Sequence, residues 1–537
     1  MTSSLIRGRP RRGSSHIRAR VVHALVGGLV GVAWLVLSAV TVLGGGAVAG
    51  GADRPVAGAA AQGEGEGTSD FDLVLPVLAV VTAAVVGGYG FLRRRRRARG
   101  RTTPGGAPVQ VAEPPAGELD ERARALLVEA DDWVRVSAEE LGFVEEKAGD
   151  AEPVEPFARA LREARAELAV AFRMRWQYEG GVPEEGAARQ HALAGIVGRC
   201  EEAGRLLDAQ AAAFDQVRGL EEGLGGGLGQ ALVVAEGRFR ELTGRTGGAG
   251  AALRELGERY ARSAASAVVG HVEQAKDRLV FATTRLNQAR QSADSGDHTR
   301  AAARLRAAEG AISQAAVFID GVERLADVLA RASSMVPAAL TGGEAEIAGA
   351  RGSPPGAGDP SYSSIPPGEL RARITHADLA LAGVREELTS GRPYDPLDLL
   401  RRIVRAVSPV AVGRAGVLPA AALLCARAAV AGADDVVATH RAAVGSEPRT
   451  HLAEAHRLLA RPAPLTDLLS ADTLAQQAQD LAEQDIRLHG HPTTTPTETT
   501  HGLTGALLGG IQPTTGPPAS YGGPRTRDRR TGDAPRP

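Results

Sequence analysis

The sequence predicts an all-α protein. Two N-terminal apolar segments insert into a membrane, long antiparallel helical hairpins of coiled-coil or bundle type follow, and a disordered C-terminal tail ends the chain. Three observations lead there. Apolar side chains recur at alternating four- and three-residue steps through most of 118–489, the repeat that keeps one helical seam against a partner. Aromatics make up only 3% of the 537 residues, and the apolar content comes mainly from Ala, Leu and Val. That mixture suits helices packed through small side chains and suits sheets poorly. The alternation of a half-buried strand is absent.

The first apolar segment, residues 21–48, follows Arg7, Arg9, Arg11, Arg12, Arg18 and Arg20, so its N-terminal side is expected in the cytoplasm. Two readings stay open for 1–49: a retained signal anchor, or a cleaved signal peptide, since Ala47-Val48-Ala49 fits the small-residue cleavage rule. Residues 50–70 read as an extracytoplasmic linker, rich in Gly and Ala, with Asp53, Glu64, Glu66 and Asp70. It is too short to bury a core. Residues 71–92 read as a transmembrane helix, because about 20 apolar residues cross a bilayer. The apolar run stops at Arg93, Arg94, Arg95, Arg96, Arg97, Arg99 and Arg101. This cluster is a topology determinant and a candidate site for anionic membrane lipid, at roughly 1 kcal/mol per residue. It predicts a cell-membrane protein with its large C-terminal region in the cytoplasm.

Residues 93–117 form the basic juxtamembrane and Pro/Gly linker. A helical bundle is expected over 118–341. Its seams run through Leu119, Ala123, Leu126, Ala130 and Trp133, then Phe157, Leu161, Ala164, Leu168 and Phe172, then Leu228, Leu232, Ala235, Phe239 and Leu242. The cleanest run is Val268–Ala289 in its four-three steps, and Leu305–Leu329 follows. A linker is expected at 342–368 and a further helical region at 369–489, beginning with Leu370, Ile374, Ala377 and Leu381. Ser295-Gly296-Asp297 and Ser390-Gly391-Arg392-Pro393 are the turn chemistry of antiparallel hairpins. Pro409, Pro419, Pro462 and Pro464 interrupt the later helices, and an interior Pro costs about 3 kcal/mol, so kinks or looser packing are expected there. Residues 490–537, with their Thr, Pro and Gly tracts, read as a disordered tail.

The formal net charge is −1, which removes any global electrostatic case for nucleic acid. Cys200 and Cys425 each sit on an apolar helical stripe and read as small core residues. His489, His491 and His501 have no carboxylate or Cys at ligand spacing, and no metal or cofactor is expected. His440, His451 and His456 read as solvated helix surface. Asp131-Asp132 are adjacent on a helix, about 100° apart, and are not expected to converge on one ligand. Gly223–Gly229 lacks the strand and Lys-Ser/Thr of a phosphate loop and reads as a helix break.

Several strings nevertheless stand in a recognisable order: Asp131-Asp132, Glu139-Glu140-Leu141-Gly142-Phe143, Pro156-Phe157-Ala158, Gly391-Arg392-Pro393-Tyr394-Asp395-Pro396-Leu397, Arg449-Thr450-His451-Leu452-Ala453-Glu454-Ala455, Leu508-Gly509-Gly510-Ile511 and Ala519-Ser520-Tyr521-Gly522-Gly523. Together with the Arg-flanked membrane helix they resemble the C-terminal part of actinobacterial TPM-domain membrane proteins, over about 73–523. The resemblance implies a membrane helix and a helical, coiled-coil scaffold. In that family an exported α/β TPM domain lies between the signal and the membrane helix; here only residues 50–70 occupy that place. Phosphatase-type or metal-binding activity suggested for TPM domains has no residues there to carry it.

The expectation from sequence is therefore a non-enzymatic, membrane-anchored helical scaffold, associating with itself or with an envelope protein. Two alternatives are a partner of a separate TPM-domain protein, in a split or degenerate phosphatase-type system, and a membrane-stress sensor.

Overall fold

The structure is a computed structural model. It describes residues 116–148, 154–181, 183, 186–220, 226–352, 365–413, 415–489, 505–507, 509–511 and 520–531. The chain divides into two units, Met1–Gln110 and Val111–Pro537. Both apolar N-terminal segments and the whole Arg93–Arg101 cluster lie outside the described residues.

Thirteen α-helices and no strand occur among the described residues. In chain order they are α1 (Ala116–Ala148), α2 (Glu155–Glu179), α3 (Gly186–Arg218), α4 (Leu228–Arg259), α5 (Arg262–Ala265), α6 (His271–Asp294), α7 (His298–Gly352), α8 (Pro367–Thr389), α9 (Pro396–Val407), α10 (Val417–Thr439), α11 (Ser446–Leu459), α12 (Leu465–His489) and α13 (Pro524–Thr531). Turn chemistry sets several boundaries. Gly296, at φ 79°, ends α6, and Asp297 Oδ1 accepts from Arg300 N to start α7. Gly391, at φ 71°, closes α8. The Asp395 side chain then caps α9 through Leu397 N and Asp398 N, with Pro396 in its first turn, where its missing N–H costs nothing.

Most positions of the predicted seams are core, while Leu119, Leu126, Phe239 and Leu370 are half-buried. Ala123, Leu161, Ala164, Leu286, Ala289, Leu305, Ile312, Ile319 and Leu329 are all buried. α1, α2 and α3 share one apolar cluster, and α4, α6 and the first half of α7 share a second. The second half of α7 packs with α8, α9 and the start of α10 in a third, and α10, α11 and α12 form the fourth. α7 joins the second and third clusters. Its 55 residues span roughly 80 Å at 1.5 Å per residue. Small residues set the spacing: a Cβ on Gly343 would meet Val407 and Leu381, so α7 admits α8 and α9 closely.

Three expectations change. Residues 342–352, read as the start of a linker, continue α7, and Ile347 and Ala350 are buried; burial of that face outweighs the glycines at 342 and 343. The later prolines do not loosen the fold. Pro419 lies in the first turn of α10, Pro409 falls in a turn, and Pro462 and Pro464 precede α12. At such positions no helical hydrogen bond is lost. The tail is not uniformly outside the fold: Ala506, Ile511 and Tyr521 are buried, because they find apolar sockets that a compositional reading does not see. Residues 490–504, 508, 512–519 and 532–537 lie outside the described residues.

α10 is the one described helix long and apolar enough to cross a membrane. Ala421, Ala422, Cys425, Ala426, Ala433 and Val437 along it are buried against other helices.

Candidate functional site

Several of the strings that sequence singled out meet in space, while that at 391–397 caps α9. α1 brings Asp131, Asp132, Arg135, Glu139 and Glu140, α11 brings Arg449, and the tail brings Tyr521. Arg449 is the hub, with its side chain 1% exposed. Its Nη1 donates to Asp131 Oδ2 at 2.7 Å and to Asp132 Oδ1 at 2.8 Å. Its Nη2 donates to Arg441 O at 2.7 Å and its Nε to Val444 O at 3.2 Å. The adjacent aspartates therefore do converge on one group, contrary to the helical-angle argument. A guanidinium reaching in from another helix spans the angle that a small ligand could not.

Asp131 also accepts from Arg135 Nε at 2.9 Å, and Arg135 Nη2 reaches Asp434 on α10 at 2.9 Å. Burial alone would push the Asp131 carboxyl up; Arg135 and Arg449 overcome it and hold the carboxyl below the usual carboxylate range. Arg441 Nη2 donates to Glu139 at 2.6 Å. α1 is thus tied to both α10 and α11 by ion pairs.

Deeper in, Arg306 of α7 donates to Glu140 Oε1 at 3.0 Å and lies 3.6 Å from Asp215 of α3. Arg218 of α3 pairs with Glu309 of α7. All four of Arg218, Arg306, Glu140 and Glu309 are buried. Glu140 Oε2 accepts from Tyr521 N at 2.8 Å, and the Tyr521 hydroxyl donates to Phe157 O at 3.0 Å. The Tyr521 ring stacks on Phe214, with centroids 4.3 Å apart.

A cleft of about 620 Å³ opens beside this junction, of a size that takes small ligands. Leu168, Phe172, Val134 and Leu452 form its apolar side, and Arg135, Arg165, Asp434 and His456 its polar side. Burial and the neighbouring Arg135 push the Arg165 guanidinium down. His456 stands at the rim. His451 is half-buried, edge-on to Trp176 at 5.1 Å. His440 is not solvated surface: it is half-buried, and burial together with Arg278 lowers it to about 4. The turn after α10 folds it inward, which its helical context did not reveal.

The Cys200 thiol, in the core of α3, is pushed up by burial to about 12, so it stays a thiol. Cys425 is likewise buried and unpaired. Among the described residues no three His, Cys, Asp or Glu side chains gather as metal ligands. What the junction does chemically is fix the register of α1 against α3, α7, α10 and α11. Sequence reasoning missed Arg135, Arg306, Asp434 and Arg449 as partners. The only signal was that Asp131-Asp132, Glu139-Glu140 and the string at 449–455 appear in the resemblance.

The chain is similar to UPF0603 protein MT2410 of Mycobacterium tuberculosis strain CDC 1551 / Oshkosh, at 29% identity over 421 residues, 75% of this chain and 62% of the relative. UPF0603 protein Rv2345 of strain ATCC 25618 / H37Rv gives the same identity and coverage. The chain thus spans 62% of the length of the curated relatives it matches. No family model matches, and no solved structure matches.

Proposed function

We propose that the protein is a membrane-anchored helical scaffold, with residues 111–537 as its cytoplasmic interaction body and no catalysis of its own. One observation supports the reading most: at the meeting point of the singled-out strings Asp131, Asp132, Arg135, Asp434 and Arg449 are paired with one another, helix to helix. Arg449 satisfies two carboxylates and the carbonyls of the 441–444 turn. Groups so engaged hold a shape rather than turn over a substrate.

Anchoring rests on the residue 71–92 segment and its Arg flank, with membrane lipid and an envelope protein or a second copy as partners. Reporter fusions at Ala60 and Gly106 test it. The first should report export and the second cytoplasm; export from Gly106 sinks the topology. Partners are then sought by crosslinking in native membranes and co-purification. Detergent-solubilised protein should hydrolyse no phosphate or ester substrate with Mg²⁺, Ca²⁺ or Zn²⁺. Turnover abolished by a single bundle substitution would overturn the scaffold reading.

A further inference from the structure

The tail segment 520–531 is held in the bundle largely through its main chain. Its backbone N–H groups donate to side chains of α1 and α3. Tyr521 N goes to Glu140, Gly522 N to Ser137 Oγ at 3.2 Å, and Gly523 N to Asp208 Oδ1 at 2.9 Å. Asp208 then caps α13 through Arg525 N at 3.1 Å and Thr526 N at 3.0 Å, and takes the Thr526 hydroxyl at 2.6 Å. This is how a protein reads a peptide: fixed acceptors for the main chain, one pocket for an aromatic anchor.

The receiving side is built without the tail. Glu140 is held by Arg306, and Phe157 packs on Phe214 at 5.3 Å. The α1–α3 cluster is otherwise made of the helices' own residues. Specificity is steric as well. A Cβ on Gly523 would run into the Gly204 backbone, a Cβ on Gly204 would strike Pro524 and Trp133, and Gly522 holds φ 136°. The socket accepts Tyr-Gly-Gly and excludes side chains at the two glycines.

We propose that residues 520–531 are a tethered peptide ligand in a preformed socket on α1, α2 and α3, and that the socket also takes this segment from a second copy of the chain. None of the bonds above requires that peptide and socket share a chain. Tethering favours the intramolecular form through effective concentration. Two copies whose tails or sockets are impaired in complementary ways associate through the intact pair.

The test uses full-length protein in detergent, with a specific protease site inserted after Gly516. After cleavage and washing, a fluorescent peptide of residues 517–537 is titrated in. Saturable binding is expected, while uncut protein, its socket filled, binds little. Tyr521→Ala and Gly523→Ala peptides are each expected to bind about 30-fold more weakly or worse, the loss typical of a buried anchor. Helical circular dichroism is followed throughout. Collapse of the cut protein, a tail piece that never exchanges, or equal binding of the Gly523→Ala peptide overturns the proposal. For the second copy, a Tyr521→Ala chain and an Asp208→Ala chain carrying different tags are mixed. They should co-purify with each other more than either does with itself. No preference for the mixed pair refutes exchange between copies.

Discussion

Arg449→Met is the sharpest perturbation the junction offers. Methionine fills the space of the arginine stem and removes the guanidinium. Asp131, 8% exposed, keeps only its 2.9 Å bond to Arg135, Asp132 loses its 2.8 Å partner, and the Arg441 and Val444 carbonyls lose their donor. Removing one side of a buried ion pair costs about 3–5 kcal/mol. Arg135 retains part of the compensation, so the lower end, about 3 kcal/mol, is expected. Adding Asp131→Asn relieves the uncompensated charge and should restore about 1–2 kcal/mol, within the coupling range of contacting residues. The assay is urea unfolding of the full chain in detergent, read by tryptophan fluorescence, since Trp133 lies beside the aspartates and Trp176 faces α11 through His451. A variant within about 0.5 kcal/mol of the native chain, the scatter of surface substitutions, would refute the idea that this cluster fastens α1 to α11.

Two further outcomes follow from the core. Burial lowers His271 and His440 to about 4 in the folded chain, against about 6.5 unfolded. The unfolded state therefore takes up protons first. The stability these groups contribute is fully present above about pH 6.5 and is lost as pH falls toward 4, by at most about 3 kcal/mol for each. His440→Gln should flatten that slope in melting curves taken from pH 7 to 4, and an unchanged slope counts against it. Ile312→Asp places a carboxylate in a position 1% exposed and should cost about 3 kcal/mol or more; an unmoved melting temperature would mean that the α6–α7 seam is not core.

The elements themselves were legible because their signals are local. Seam spacing located α6 and α7, and Gly296 and Gly391 marked turns where only a left-handed residue fits. Cys200 was legible as core from its stripe alone. The junction was not. Arg449 and Asp132 are 317 positions apart, and no periodicity pairs residues at such separation. The tail misled for the converse reason: its composition has too few apolar residues to fold by itself, yet Tyr521 and two glycines need only a socket built elsewhere.

Sequence by itself determined the all-α class, the hairpin turns, the small-residue seams and the Arg-flanked apolar segments, since each depends on neighbours within a few helical turns. Tertiary structure alone decided that α7 runs on to Gly352, that Arg449 gathers Asp131 and Asp132, and that Tyr521-Gly522-Gly523 lodges against Glu140, Ser137 and Asp208. These depend on which faces meet across hundreds of residues. That is set by how helices of fixed length pack around α7, not by the residues adjacent to each one.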